Sequence, residues 1–250
     1  MLDRAVRIVQ VSDLHIGSQF LPEKFDMLLS EINGINPDVI VVTGDVTNEG
    51  LVQEYERARS LIPRFRAGRT IVTSGNHDYR NTGYLLFKKH FPLQTVHELG
   101  DNVVLVMVGT ARPDRNEGEV GYRQNMWLEK TLRGYPDRIK IVAMHHHLIA
   151  IPDTGSDQLT VVDAGDVLRT ILATGVDLVL CGHKHRPWVW EFGGLTVVNA
   201  GTATSERVRG LFENTYNIIT VDGKTGGVSV DLKIVGGRRG PIREIVSDYS

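Results

Sequence analysis

Near the start of the chain stands the segment Val6-Arg7-Ile8-Val9-Gln10-Val11-Ser12-Asp13-Leu14-His15. Its residues 7–11 are rich in β-branched side chains and lead into a turn, which predicts a buried strand. Asp13 and His15 follow directly after the carboxyl end of that strand. Because ligands of open α/β sheets bind just beyond the carboxyl ends of strands, this turn is the first candidate for a functional site.

The same arrangement recurs four times along the chain. Apolar runs at 39–43, 70–74, 139–144 and 178–181 lead into Gly44-Asp45-Val46-Thr47-Asn48, Gly75-Asn76-His77-Asp78, His145-His146-His147 and Gly182-His183-Lys184-His185. Five strands thus deliver Asp, Asn or His at the same end, so these side chains can converge at one edge. Carboxylates, imidazoles and one neutral amide form a ligand set for borderline divalent or trivalent metal ions.

Helical patterns alternate with the first strands. Phe25, Leu28, Leu29 and Ile32 predict a helix over 22–35, and a second helical pattern covers 51–62. This alternation indicates the α/β class, with parallel strands joined by right-handed crossovers. From Trp188 onward, short strands separated by glycine turns predict a β-meander. We expect one domain over residues 1–235 and a C-terminal tail over 236–250, which begins with the linker-like sequence Gly-Gly-Arg-Arg-Gly-Pro.

The composition narrows the class of protein. The chain has 250 residues, a formal net charge of -2 and one cysteine, Cys181. A disulfide within the chain is impossible, which suits a reducing compartment. Residues 1–5 lack the apolar region of a signal peptide, and no apolar run has the length of a membrane span. We therefore expect a cytoplasmic enzyme without a membrane or nucleic-acid partner.

The motif order D-x-H, G-D-x-x-N, G-N-H-D, H and G-H-x-H resembles the calcineurin-like metallophosphoesterase superfamily, and especially its bacterial cyclic-nucleotide-phosphodiesterase-like branch. The resemblance extends from Arg7 to about Arg209. It implies a four-layer α-β-β-α sandwich of two mixed sheets with flanking helices. It also implies hydrolysis of a phosphodiester, either a cyclic nucleotide or another small one, by attack of a hydroxide that bridges two metal ions.

The resemblance further implies which side chains hold the two ions. Asp13, His15 and His185 would bind one ion, Asn76, His145 and His183 the other, and Asp45 would bridge them. Mn, Fe, Zn, Co and Ni all suit such donors. His77 would protonate the leaving oxygen. Some relatives orient this histidine with an aspartate where this chain has Asn48.

Substrate contacts and alternative activities remain open at this point. Asn48, His146, Arg207 and Arg209 are the candidates for contact with a small phosphorylated substrate, and the polar loop over 111–122 is expected to wall the site. A phosphomonoesterase or a nuclease is the alternative within enzymes, and a non-catalytic scaffold is the alternative outside them. A nuclease should carry a basic path, and a scaffold should have lost metal ligands; the sequence has neither feature. Assembly into a homo-oligomer is also left open.

Overall fold

The computed structural model describes residues 5–155 and 160–249. The helices are α1 (Pro22–Ile35), α2 (Val52–Leu61), α3 (Gly83–His90), α4 (Tyr122–Arg133), α5 (Ala164–Ala173) and α6 (Ile242–Ser247). The strands are β1 (Val6–Val11), β2 (Val39–Val42), β3 (Arg69–Val72), β4 (Gln94–Leu99), β5 (Val103–Val108), β6 (Ile139–Ala143), β7 (Leu178–Cys181), β8 (Trp188–Phe192), β9 (Leu195–Asn199), β10 (Thr215–Val221), β11 (Val228–Ile234) and β12 (Arg239–Pro241). The prediction that no leader precedes the fold falls mainly on residues 1–4, which lie outside the described residues.

The strands form two mixed sheets. One has the order β12-β11-β10-β1-β2-β3 and the other β4-β5-β6-β7-β9-β8. Strands β1, β2 and β3 are parallel to one another, as are β5, β6, β7 and β9. Each of these parallel groups therefore directs its carboxyl ends, and the turns that follow, toward one edge of its sheet.

Three apolar layers hold the sheets and helices together. The inner faces of the two sheets meet in one cluster that includes Ile8, Val41, Leu105 and Leu180. The outer face of the first sheet packs on α1 and α2, and the outer face of the second packs on α4 and α5. Central strands such as β2, β5 and β7 are buried on both faces, which explains their continuous apolar sequence. The predicted four-layer α-β-β-α arrangement is confirmed.

The C-terminal part differs from the prediction in two ways. Strands β8 and β9 belong to the second sheet, whereas β10, β11 and β12 belong to the first, so this part is not one meander. The segment predicted as a tail contains β12, which pairs with β11, and α6, whose Ile245 and Val246 are buried beside Leu232. Its apolar residues are too few for a sequence pattern, but together they cover the end of the first sheet.

Within the described residues, no helix is both long enough and apolar enough to cross a membrane.

Candidate metal centre at the strand ends

The two sheets contribute side chains to one opening between them. The first sheet supplies Asp13 and His15 after β1, Asp45 after β2, and Asn76 after β3. The second sheet supplies His145 after β6, and His183 and His185 after β7. All seven predicted metal ligands therefore follow the carboxyl ends of parallel strands, and all except the partly exposed His183 are buried.

Most of these ligands sit on an unusual backbone. Positive φ angles occur at Asp13 (54°), His15 (49°), Asp45 (50°), His183 (77°) and His185 (53°). A residue with a side chain pays about 1–3 kcal/mol in this region, and such residues cluster at functional sites. Main-chain hydrogen bonds hold the turns, among them Asp13 N to Gly44 O at 3.0 Å and His15 N to Asp45 O at 2.9 Å. The fold stabilises a costly backbone that turns these side chains toward one another.

The first group of donors lies around Asp13. Its Oδ1 is 3.2 Å from His185 Nε2 and 3.8 Å from His15 Nε2. The Nε2 atoms of His15 and His185 are only 3.0 Å apart. These three residues offer ligand atoms within 4.8 Å of one another, the spacing of donors around a single ion.

The second group lies around Asn76. Its Oδ1 is 3.1 Å from His145 Nε2 and 2.9 Å from His183 Nδ1. Asp45 lies between the groups, because its Oδ2 is 3.4 Å from His145 Nε2 and 3.8 Å from His15 Nε2. The carboxylate of Asp45 can therefore serve both groups, as predicted for a bridging ligand.

In His145 and His185, one ring nitrogen donates a hydrogen bond to a main-chain carbonyl, and the other nitrogen faces the candidate centre. His145 Nδ1 donates to Thr43 O at 2.7 Å, and His185 Nδ1 donates to Arg207 O at 2.5 Å. In the neutral rings, Nε2 then carries a lone pair, and it faces the carboxylates of Asp45 and Asp13. Facing lone pairs repel unless a proton or cation lies between them. The donor set thus fits bound metal ions, with the other ring nitrogen held by a main-chain carbonyl as is usual for metal-binding histidines.

The electrostatics of the site agree with this fit. Burial opposes ionisation of Asp45, but the nearby His145 and His77 hold its pKa well below the usual range. Burial lowers the pKa of His15 to about 3, so this ring is neutral. Burial also favours a neutral His145, yet Asp45 raises the pKa of His145 to about 9. A bound cation would displace that proton, as metal binding commonly does.

Three glycines make room for the ligand turns. A Cβ at Gly75 would overlap the carboxylate of Asp45, one at Gly182 would overlap Ser12 Oγ, and one at Gly44 would lie 2.5 Å from His145 Nδ1. Gly44 also has a φ of +90°, where other residues are strained. The glycines before Asp45 and His183 are therefore required by close approach of the two sheets, and the glycine before Asn76 by close approach of two turns of the first sheet.

His77 is positioned by a main-chain group. Its Nδ1 donates to Asn48 O at 2.7 Å, so Nε2 is the nitrogen left for the opening. The side chain of Asn48 instead donates to Ser18 Oγ at 3.2 Å and to Glu49 Oε1 at 3.3 Å. The backbone carbonyl of Asn48 therefore orients His77, and the Asn48 side-chain amide has other partners.

Asp78 ties the turns of the first sheet together. Its carboxylate accepts from Gly75 N at 2.9 Å, from Val46 N at 3.2 Å and from Thr47 N at 2.8 Å. Burial, and then the charge of Asp45, raise the pKa of Asp78 to about 7, although the hydrogen bonds from Gly75 and Thr47 oppose that rise. Asp78 thus holds the turns together through these hydrogen bonds and is not the residue that orients His77.

His146 is a supporting residue in the structure. It is fully buried; its Nδ1 lies 2.8 Å from Thr110 Oγ1 and its Nε2 lies 3.1 Å from Asn116 O. Its ring lies 4.6 Å from that of His183. The expected substrate contact is not supported, because both ring nitrogens are engaged beneath the surface.

The opening widens into a cleft of about 420 Å³. Arg207 and Arg209, predicted as substrate contacts, line this cleft, and so does His77. Arg80 and Asn116 also line it and were missed by sequence reasoning. Asn116 lies in the loop that was expected to wall the site, which was the one available signal. Arg80 follows the third motif by two residues and had no signal of its own.

Comparison with known proteins places this chain in a family. The model of the calcineurin-like phosphoesterase family matches residues 6–187. The 3′,5′-cyclic adenosine monophosphate phosphodiesterase CpdA of Escherichia coli K12 is 28% identical over 207 residues, which cover 76% of this chain and 73% of that protein. A cAMP/cGMP dual specificity phosphodiesterase of Mycobacterium tuberculosis CDC 1551 is 29% identical over 209 residues, which cover 76% of this chain and 65% of that protein.

Solved structures show the same fold. A dimetal phosphatase from Danio rerio superimposes with a TM-score of 0.71 at 10% identity, over 95% of this chain and 98% of that one. At this identity the likeness concerns the arrangement of sheets and helices alone.

Proposed function

Because the chain belongs to the calcineurin-like phosphoesterase family, we propose that it is a phosphodiesterase for a cyclic nucleotide or another small phosphodiester. The observation that carries this proposal is the meeting of seven oxygen and nitrogen donors from both sheets at one cleft. The names of the similar proteins from Escherichia coli and Mycobacterium tuberculosis support the choice of a cyclic nucleotide.

Two metal ions are proposed for the centre. Asp13, His15, Asp45 and His185 would hold one ion; Asp45, Asn76, His145 and His183 would hold the other. Mn, Fe, Zn, Co and Ni are the proposed choices, since all accept carboxylate and imidazole ligands. When bound, such ions neutralise phosphate charge and lower the pKa of a coordinated water.

The protein groups around the centre have separate tasks. The carbonyls of Thr43 and Arg207 orient His145 and His185. The carbonyl of Asn48 holds His77, whose Nε2 would donate a proton to the leaving oxygen. Such general acid catalysis is worth about 10²- to 10⁴-fold in rate.

The size of the cleft and the net charge of the chain agree with a small substrate. A cleft of about 420 Å³ lies within the range of small-molecule sites. The formal net charge of -2 gives no support to nuclease action. The intact donor set argues against a non-catalytic scaffold.

Three further expectations stay proposals. The cytoplasm is the proposed location, because the one cysteine is free and buried. A single domain is proposed, because the inner cluster is shared by both sheets. Its partner is proposed to be the small phosphorylated substrate, with homo-oligomer formation left open.

The test is a panel of phosphodiesters and phosphomonoesters, assayed after each metal is added to metal-free protein. We expect turnover of at least one diester and none by Asp45→Asn. Asp166→Asn, an exposed change on α5, is the matched control and should remain active. Preference for monoesters would replace the proposed substrate class, and inactivity with every metal would contradict the proposal.

A further inference from the structure

Two arginines on one wall of the cleft have no acidic partner. Arg207 and Arg209 are exposed and line the cleft. Within residues 5–155 and 160–249, neither guanidinium forms an ion pair with a carboxylate. By contrast, Arg80 in the same cleft pairs with Glu49 at 2.7 Å. The wall formed by Arg207 and Arg209 therefore presents uncompensated positive charge to a ligand.

Both arginines are fastened to the turn that carries two metal-ligand candidates. Arg207 O accepts the hydrogen bond from His185 Nδ1, and Arg209 Nε donates to Lys184 O at 3.1 Å. The guanidinium of Arg209 is thus held through one nitrogen, and its remaining N–H groups are available. The first contact fixes the main chain of Arg207 and the second fixes the side chain of Arg209, so both residues lie beside the candidate metal centre.

Two divalent cations at the candidate centre, if bound, would supply the charge that the reacting phosphate needs without these arginines. Two bound divalent cations would outweigh the carboxylates of Asp13 and Asp45. They would suffice for a phosphodiester, which carries a single negative charge. Arg207 and Arg209 add positive charge beyond that requirement, so they favour a ligand with a second negative group.

The lining of the cleft does not favour base stacking as the main contact. Within the described parts of the chain, the cleft is lined by histidines and polar or charged side chains, with Val208 as the apolar member and without Phe, Tyr or Trp. A nucleobase is commonly held by stacking on an aromatic ring. A guanidinium pair instead matches the geometry of phosphate or carboxylate.

We propose that Arg207 and Arg209 form a subsite for a second anionic group, a phosphate or carboxylate, on the part of a phosphodiester that does not leave. The inference rests on the proposed phosphodiesterase function. The substrate class becomes small phosphodiesters with an additional negative charge, so this inference favours the other small phosphodiesters over a 3′,5′-cyclic nucleotide, which carries only the charge of its one phosphodiester.

The first test uses p-nitrophenyl phosphodiesters that differ only in the second alcohol. The four esters carry a propyl, 3-carboxypropyl, 3-phosphonopropyl or 3-trimethylammoniopropyl group as the second alcohol. A charge-assisted contact predicts that kcat/KM of an anionic ester exceeds that of the propyl ester by about tenfold. The cationic ester should be the poorest. Comparison of the carboxylate and phosphonate arms identifies the preferred anion.

Substitution of each arginine then tests whether these residues cause the preference for an anionic ester. Arg207→Gln and Arg209→Gln should each reduce the ratio of anionic to propyl kcat/KM toward one. Arg207→Gln keeps the main-chain carbonyl that holds His185, so its metal content measured by elemental analysis should be unchanged. Arg209→Gln removes the hydrogen bond from Arg209 Nε to Lys184 O, so its ratio counts for the subsite only at wild-type metal content. Arg169→Gln removes one charge from α5, where the side chain is 76% exposed and paired with Asp166, and should keep the wild-type ratio.

A second readout does not depend on turnover. Inorganic phosphate is titrated into metal-free protein by calorimetry, where the carboxylates of Asp13 and Asp45 repel it from the metal donors. Wild type and Arg169→Gln should bind phosphate, whereas Arg207→Gln and Arg209→Gln should bind it at least about tenfold more weakly.

An unchanged ratio together with unchanged phosphate binding in both arginine variants overturns the subsite. If no diester is hydrolysed with any metal, the proposed function falls instead, while the phosphate titration still decides on the subsite.

Discussion

Adjacent residues at this site have different tasks, and the difference lies in what holds each side chain. Asn76 turns its Oδ1 toward His145 and His183, and its Nδ2 donates to Asn116 Oδ1 at 3.4 Å. His77, the next residue, begins a short 3-10 turn and is held by Asn48 O. One residue therefore faces the candidate metal donors, and the other lines the cleft.

This division predicts different behaviour for two neighbouring substitutions. His77→Ala should keep both metals and lower kcat on a nucleotide phosphodiester by about 10²-fold or more, because a ribose oxygen leaves poorly without a proton. On the p-nitrophenyl analogue the loss should be much smaller, because nitrophenolate needs no acid. The measurement is kcat for wild type and variant on both esters, with chemistry rate-limiting.

Asn76→Ala is the matched comparison. Removal of a neutral ligand should weaken metal binding, and excess metal should restore part of the activity. Equal losses on both esters for His77→Ala, or loss of metal from that variant, would show that His77 is not the acid.

At the residue scale, the sequence predicts which side chains meet but not what holds them. The seven ligand candidates follow strand ends, and the strands are visible in the sequence as apolar runs. These candidates are Asp13, His15, Asp45, Asn76, His145, His183 and His185. The carbonyls of Asn48 and Arg207 that orient His77 and His185 carry no signal, because every residue has the same main-chain acceptor. The positive φ angles at five ligand candidates are equally unpredictable from the sequence, because Asp and His rarely adopt this conformation, whereas glycine adopts it readily.

At the scale of elements, the turns after β2 and β3 depend on close packing. Gly75 N donates to Asp78 at 2.9 Å, and Gly75 lies against the main chain and carboxylate of Asp45. A side chain at this position would push the two turns apart. The position of Asp45 between the two donor groups therefore depends on a residue that is not itself a candidate ligand.

Gly75→Ala should consequently remove metal from the site. The added methyl group overlaps Asp45, and overpacking of this kind costs about 1–3 kcal/mol. We expect a lower thermal midpoint and lower metal content by elemental analysis. Gly34→Ala is the control, because a Cβ there meets nothing within 4 Å and alanine is favoured in a helix by about 0.5–1 kcal/mol. A metal-replete Gly75→Ala protein would mean that the turns can shift without harm.

Long apolar elements were predicted more faithfully than short or exposed ones. Strand β7 and helix α1 have the predicted bounds, since their apolar run or periodicity leaves little choice. Strand β4 was not predicted, because it is an edge strand that buries only Leu99 fully. Helix α6 has six residues, fewer than a periodicity window needs.

At the scale of the whole molecule, the metal centre joins the two sheets. Four of the seven ligand candidates belong to the first sheet and three to the second. A ligand that binds only the folded state raises the free energy of unfolding in proportion to the logarithm of the ligand concentration. Metal occupancy should therefore affect the unfolding of the entire chain.

Removal of metal by a chelator should lower the thermal midpoint, and readdition should restore it. At 100 times the dissociation constant, a bound ion adds about 2.7 kcal/mol to the free energy of unfolding. The measurement is a thermal scan of metal-free and reloaded protein at matched ionic strength. Asp45→Asn is the comparison, and its midpoint should respond much less. A midpoint independent of metal in the wild type would show that the donors are not occupied.

The C-terminal segment is folded, although its sequence resembles a linker and a tail. Gly236 and Gly237 resemble a linker, yet β12 pairs with β11, and α6 covers Leu232. Tyr249 stacks on Phe212 with ring centroids 4.6 Å apart, and Phe212 N donates to Arg209 O at 3.2 Å. The segment therefore supports both the end of the first sheet and the loop that carries Arg207 and Arg209.

Ile245→Ala tests whether this segment belongs to the folded core. Ile245 is 3% exposed, so its truncation leaves a cavity and should lower the free energy of unfolding in urea by about 2–4 kcal/mol. Leu172→Ala is the control: it also shortens an aliphatic residue of a helix, but that residue is 63% exposed and should cost no more than about 0.5 kcal/mol. Because α6 also supports Phe212, Ile245→Ala should raise KM for an anionic diester more than it lowers kcat. Equal urea midpoints for the two variants would mean that residues after Gly236 add no stability, as a tail would behave.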